Sequence, residues 1–155
     1  MTIIALQGKS CTGKTECIQK LIYVINKSYP LTCIYPNDNS KFNRLIQSGT
    51  PVIKNNGNME DFIVFGTING KIIVISTYGD NEEALKNSFK NLEDCDLFVC
   101  SCRTKGETID FIEKKASNGE LIIHGRWAVN DKNYRENTIN YQVKEIKSEI
   151  EDLLK

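Results

Sequence analysis

Near the N-terminus, Gly8-Lys9-Ser10-Cys11-Thr12-Gly13-Lys14-Thr15 sets two glycines five apart, the second followed at once by Lys and Thr. Each residue type in this spacing has a physical use in holding an anion. Gly8 and Gly13 permit backbone angles that cost other residues energy, so successive N–H groups from Lys9, Ser10, Cys11 and Thr12 can face one centre. Lys14 supplies a point charge suited to phosphate oxygens. The Thr15 hydroxyl is a hard oxygen donor of the kind that suits a Mg²⁺ keeping most of its waters. A helix starting near Lys14 adds its positive N-terminal end at the same place.

Other chemistry-bearing residues are sparse. The only arginines are Arg44, Arg103, Arg126 and Arg135, and His124 is the single histidine. A lone histidine at a strand end reads as structural, although its imidazole can titrate near neutrality. The six cysteines are Cys11, Cys17, Cys33, Cys95, Cys100 and Cys102, with no C-x-x-C pair among them. A zinc site would need distant thiols to converge on His124, so the reading is of reduced, partly buried thiols. Cys100 and Cys102 stand two apart on a strand and share one face. Asp38, in Pro36-Asn37-Asp38-Asn39, reads as an Asx turn.

The elements that must position these residues follow from apolar spacing. Thr2–Gln7 is a short apolar strand ending at Gly8. Lys14–Asn26 is a helix, with Cys17, Ile18, Leu21, Ile22 and Ile25 at helical intervals, and Tyr29-Pro30 breaks it. Leu31–Tyr35 is a second strand, and Lys41–Gln47 a short helix with Ser40 as its cap. Thr50–Glu60 is polar and reads as a long loop. Asp61–Ile68 and Lys71–Thr77 are two β-rich runs joined by Asn69-Gly70, the pairing of a type I′ hairpin turn. Glu82–Leu92 is a helix, Asp96–Cys102 an apolar strand, and Thr108–Ala116 a helix ended by Asn118-Gly119. Leu121–His124 is the last strand. A final helix over Arg135–Leu154 spaces Ile139, Val143, Ile146, Ile150 and Leu153 at three and four, an amphipathic element lying on a core.

This order is an α/β pattern. Apolar runs such as Ile72–Ile75 and Leu97–Cys100 imply strands buried on both faces. The expected fold is one domain over residues 1–155, in three layers, with a mostly parallel sheet. Its single antiparallel member is expected at an edge, contributed by the hairpin through Asn69-Gly70.

Composition narrows the function classes. The chain has 155 residues, 20 Lys+Arg against 20 Asp+Glu, and 40% hydrophobic residues. A chain this long buries a real core, roughly 70% of its unfolded surface, and needs no disulfide scaffold. Zero net charge argues against a dedicated nucleic-acid binder. No apolar run approaches the roughly 20 residues of a membrane span. Met1–Leu6 lacks the basic start and cleavage site of a secretion signal, so a cytoplasmic location is expected.

Gly8–Thr15 fits the phosphate-loop, or Walker A, pattern G-x-x-x-x-G-K-S/T. It falls after an apolar strand and before an amphipathic helix. The chain therefore resembles the P-loop nucleoside triphosphatase superfamily, through these eight residues and the strand–helix order around them. The resemblance implies that ATP and Mg²⁺ are bound by Gly8, Lys9, Ser10, Cys11, Thr12, Gly13, Lys14 and Thr15. It also implies an acid at the end of an apolar strand to hold the Mg²⁺ shell. Ser76 stands where that acid is expected, so Ser76 is the metal candidate beside Thr15, with Asp80 reaching in from the next loop.

The segment through Gly79-Asp80 is similar to the switch region of small GTPases, where a backbone N–H meets the γ-phosphate. The guanine-reading Asn-Lys-x-Asp is missing, however, which directs the reading to ATP. Arg103, directly after a strand, lies at the carboxyl edge where ligands of open α/β sheets bind and can stabilise charge on the γ-phosphate. Arg126 and Trp127 follow the last strand. By resemblance to P-loop kinases, a base can stack there, on an Arg or Trp plane. In such kinases a carboxylate at the position of Asp38 can act on an acceptor hydroxyl.

The resulting expectation is a Mg-ATP-binding hydrolase, with Lys14, Asp80 and Arg103 as catalytic residues. A small-molecule or nucleotide kinase is the first alternative, although few arginines are available to build a lid that excludes water. A non-catalytic binding module is the second. It would be completed by a protein partner or a second copy, with the C-terminal helix as docking surface.

Overall fold

The structure is a computed structural model and describes residues 1–9, 12–79, 82–90, 94–116, 119–126 and 131–155. The chain runs β1 (Thr2–Gln7), α1 (Lys14–Ser28), β2 (Thr32–Tyr35), α2 (Asn39–Ser48), β3 (Ile63–Ile68) and β4 (Lys71–Ser76). It continues with α3 (Glu82–Lys90), β5 (Leu97–Cys102), α4 (Glu107–Lys115), β6 (Leu121–Gly125) and α5 (Lys132–Leu153). The six strands form one sheet in the order β2-β3-β4-β5-β1-β6. β1 pairs in parallel with both β5 and β6, and β4 in parallel with β5. β3 is antiparallel to both of its neighbours.

The antiparallel strand is therefore internal, a correction to the expected edge position. β3 presents Val64 and Ile68, both fully buried, to the core, so it needs cover on its outer side. Leu31 and Pro30 lie directly against Gly66, and β2 then pairs Thr32 with Phe65 and Cys33 with Val64. The short, half-exposed β2 takes the edge instead.

Two cores sandwich the sheet. On one face α1, α2 and α5 pack Ile18, Leu21, Ile25, Leu45, Ile139 and Val143 against Ile4, Leu6, Ile75 and Val99. On the other face α3 and α4 pack Leu85, Ile109 and Ile112 against Ile3, Ala5, Phe98, Cys100 and Cys102. The apolar runs explain this arrangement: all six positions of β5 are buried, which requires helices on both sides. Adjacent strands β1 and β5 send their following helices, α1 and α4, to opposite faces. That divergence opens a crevice at their carboxyl ends, the usual ligand position in such sheets.

Caps move two boundaries. Asp38 rather than Ser40 caps α2, its carboxylate accepting from Ser40 N–H at 2.9 Å. α5 begins at Lys132, three residues before the expected start at Arg135, because Asp131 accepts from Tyr134 N–H at 2.9 Å. Thr50–Glu60 folds back on itself through an Ile53–Met59 bridge. No helix among the described residues is long and apolar enough to cross a membrane.

The described cysteines are free thiols. Burial pushes the Cys17 thiol from its ordinary 9.0 up to about 12, and that of Cys102 to about 11 against the opposing pull of Lys14. These thiols stay neutral in the fold and ionise more readily in the unfolded chain, so unfolding above about pH 9 releases protons. Stability is complete below pH 9 and declines as pH climbs towards about 12. Cys17 alone is expected to cost roughly 2 kcal/mol by about pH 10.5. Thermal unfolding between pH 8 and about 10.5 checks this: Cys17→Ala should flatten the decline, and an equal slope in both proteins would contradict it.

Candidate functional site

β1 ends at Gln7, and the chain turns over the carboxyl edge of the sheet. Gly8 N–H donates to Cys102 O at 3.1 Å, hooking the start of the loop to the end of β5. Thr12 Oγ1 donates to Lys9 O at 2.9 Å. Gly13 closes the loop at φ +85°, a left-handed conformation that favours glycine, and serves as the N-cap of α1 without a side chain. Lys14 reaches back, donating from Nζ to Gly8 O at 2.6 Å and to Cys102 O at 3.1 Å. Its ammonium is thus fixed between the ends of two strands, and the residue is only 6% exposed.

A cleft of about 360 Å³ opens beside Thr12–Thr15. Among the described residues it is lined by the cations Lys14, Lys54, Arg103 and Arg135 and by the carboxylates Glu16 and Asp61. This is a local excess of positive charge in a chain whose formal net charge is zero. Such a cleft favours an anionic ligand.

Different elements deliver these side chains. Arg103 follows β5, and its backbone N–H donates to Thr108 Oγ1 at 2.9 Å at the start of α4. Lys54 and Asp61 come from the segment between α2 and β3, which the fully buried Gln19 of α1 holds in place. Gln19 Nε2 donates to Val52 O at 3.1 Å and to Glu60 O at 2.8 Å, while its Oε1 accepts from Val52 N–H at 2.8 Å. Asp61 accepts from Thr77 Oγ1 at 2.7 Å and lies 3.6 Å from Lys54 Nζ. Arg135, in the first turn of α5, pairs with Glu16 at 3.0 Å.

Lys14, Thr15 and Arg103 come together in this cleft as expected, with Thr12 and Gly13. Lys9 is exposed at the loop's edge. Ser76 does not join them. It is fully buried on the opposite face of the sheet, its hydroxyl 3.1 Å from that of Ser88 and accepting from Tyr78 N–H. Gly79 is packed against the backbone and hydroxyl of Ser101. Arg126 lies beneath the loop, 6% exposed, with Nε donating to Thr12 O at 3.2 Å. Burial lowers its pKa, and the charge of nearby Arg135 acts in the same direction. Asp38 is occupied as a helix cap, where the hydrogen bonds from Ser40 hold its carboxyl below the usual range. His124 joins Glu149 of α5 at 3.0 Å. Ser10, Cys11, Asp80 and Trp127 lie outside the described residues.

Asp61, Lys54 and Arg135 are cleft residues that the motif reading missed. Asp61 had a usable signal. A two-residue Asn69-Gly70 turn sets Ile68 opposite Lys71 and Ile63 opposite Ser76. Continuing that register carries Asp61 to the level of Tyr78, at the carboxyl edge of β4. An antiparallel strand starts where its parallel neighbours end, so its leading residue can supply a carboxylate that a trailing residue lacks.

Thr15 and Asp61 offer hard oxygen donors, which fit Mg²⁺. Among the described residues no group of three or more His, Cys, Asp or Glu could hold a metal ion by itself. A second cavity of about 520 Å³ shares Glu16, Met59 and Arg135 with the cleft and adds the apolar surfaces of Pro51, Ile53 and Ile139. Comparison of the chain with protein-family models, curated proteins and solved structures finds no match. The fold defines an α/β protein with a six-stranded, mostly parallel sheet.

Proposed function

We propose that this chain binds ATP with Mg²⁺ at the Gly8–Thr15 loop and cleaves the terminal phosphate by in-line attack of water. One observation carries the reading: Thr12 and Gly13 of the loop, Lys14, Thr15 and Arg103 line one cationic cleft at the divergence of β1 and β5. The adjoining apolar cavity favours a nucleoside over a bare phosphate chain. In the reaction, the water oxygen bonds to the γ-phosphorus as the bond to the bridging oxygen breaks. Lys14 and Arg103 stabilise the charge that develops on the phosphoryl and leaving oxygens. Mg²⁺, held by Thr15 and Asp61, would neutralise phosphate charge. For the kinase alternative, the acceptor carboxylate Asp38 is engaged as the N-cap of α2.

Thermal stability across ATP, GTP and ADP, with and without Mg²⁺, followed by phosphate release on the best ligand, tests this. Stabilisation by Mg-ATP with phosphate release is expected. Binding without turnover would turn the reading towards a kinase or a partner-completed module, and no shift with any nucleotide would overturn it. The Mg²⁺ dependence discriminates further: Asp61→Asn should abolish most of it, and Ser76→Ala should leave it intact. The reverse pattern would return the metal site to Ser76.

A further inference from the structure

The guanidinium groups of Arg126, a residue 6% exposed, and Arg135, whose side chain is 35% exposed, meet at the flank of the loop. Arg126 Nη2 and Arg135 Nε are buried donors without a hydrogen-bond partner among the described residues. Both side chains crowd the Cα of Gly13: a Cβ built there would stand 3.0 Å from Arg135 Nη2 and 3.4 Å from Arg126 Nη2. The other contacts of Arg126 are modest: Nη1 lies 3.4 Å from Thr138 Oγ1 and 3.3 Å from Gln142 Oε1. Arg135 is held to one side by Glu16 at 3.0 Å.

Two like charges, one of them on a residue more than nine-tenths buried, have been brought together with N–H groups left over. Native interiors rarely leave such donors unused. An anion between them would offset the repulsion and satisfy the donors, and the planar guanidinium fork matches phosphate geometry.

We propose that Arg126 and Arg135 form a second phosphate site beside the loop, which takes another phosphate of the polyphosphate chain held by Lys14. Resting on the reading above, this makes Glu16 a stand-in anion: its carboxylate holds Arg135 and yields it to the incoming phosphate. The site recognises the length of the phosphate chain rather than the base, so Arg126 acts as an anion receptor and not as a stacking plane.

The test is titration of wild type, Arg135→Ala, Arg135→Lys, Glu16→Gln, the double variant Glu16→Gln/Arg135→Ala and Lys14→Ala with inorganic pyrophosphate, read by thermal shift. Arg135→Ala should weaken pyrophosphate binding roughly 10-fold, as for loss of one charge-assisted contact from a partly exposed side chain. Arg135→Lys should recover only part, since it lacks the fork. Glu16→Gln should tighten binding several-fold in wild type and not in the Arg135→Ala background, whereas plain loss of a negative charge from the cleft would tighten both alike. If Arg135→Ala and Glu16→Gln bind as wild type does while Lys14→Ala does not, the arginine site falls and the loop reading stands. If Arg135→Ala and Glu16→Gln respond while Lys14→Ala is unchanged, the arginine site stands and the loop reading falls. No response of wild type to pyrophosphate overturns the arginine site, and the nucleotide panel then decides the loop alone.

Discussion

Lys14→Ala is expected to eliminate stabilisation by ATP while leaving a folded protein. At a ligand concentration about 100 times its Kd, wild type gains about 2.7 kcal/mol from binding; the variant should gain close to none. In the proposed site Lys14 is the charge that would meet the phosphates, and truncating a buried, hydrogen-bonded charge partner costs about 2–5 kcal/mol of binding. The same ammonium also serves the fold, donating to Gly8 O and Cys102 O. Leaving a buried carbonyl without its donor costs about 1–3 kcal/mol, so the variant should also unfold somewhat earlier without any ligand. Thermal denaturation with and without Mg-ATP separates the two effects. If ATP raises the Tm of the variant as much as that of wild type, Lys14 does not hold phosphate and the loop has another use.

Gly79→Ala is expected to destabilise the protein in the absence of any nucleotide. A Cβ at residue 79 would collide with the carbonyl and the hydroxyl of Ser101. Ser101 lies within β5, pairs with Leu6 of β1 and donates its hydroxyl to Thr77 O at 3.1 Å, so the strand cannot yield cheaply. Overpacking of this kind costs about 1–3 kcal/mol and occasionally more; with a backbone atom as the obstacle, about 3 kcal/mol is expected. For a domain of this size that is roughly 6–12 °C in Tm. Ser101→Ala on top of Gly79→Ala should restore only part, because the carbonyl remains. The outcome also assigns the glycine. An unchanged ligand-free Tm together with lost nucleotide binding would restore the reading of Gly79 as a γ-phosphate contact; a large fall makes it a packing residue between the end of β4 and β5.

The strand–glycine–helix order at the start of the chain was legible because its signals are local. Glycine spacing, the preceding apolar run and the following helix all lie within Thr2–Ile25, and the structure builds β1 and α1 there, with Gly13 as the helix cap. The hairpin was legible for the same reason: Asn69-Gly70 sets both turn geometry and register, which the pairing of Ile68 with Lys71 reproduces. Ser76 was misread because alternation along a strand alone does not say which face the loop will occupy. Ser76 shares a face with Val74, and that face belongs to α3 and α4, away from α1. Arg135 was invisible for a different reason. Nothing local joins it to Gly13; only the packing of α5 on α1 brings it to Glu16.

By itself the sequence determined the element order, the α/β class and a glycine-bounded turn between the first strand and helix, because backbone geometry, apolar period and turn chemistry act over a few residues. Tertiary structure decided which strand lies at the edge, which carboxylate enters the cleft and which arginines flank the loop. Those choices depend on how separate elements stack to bury their apolar faces, and no interval along the chain encodes them.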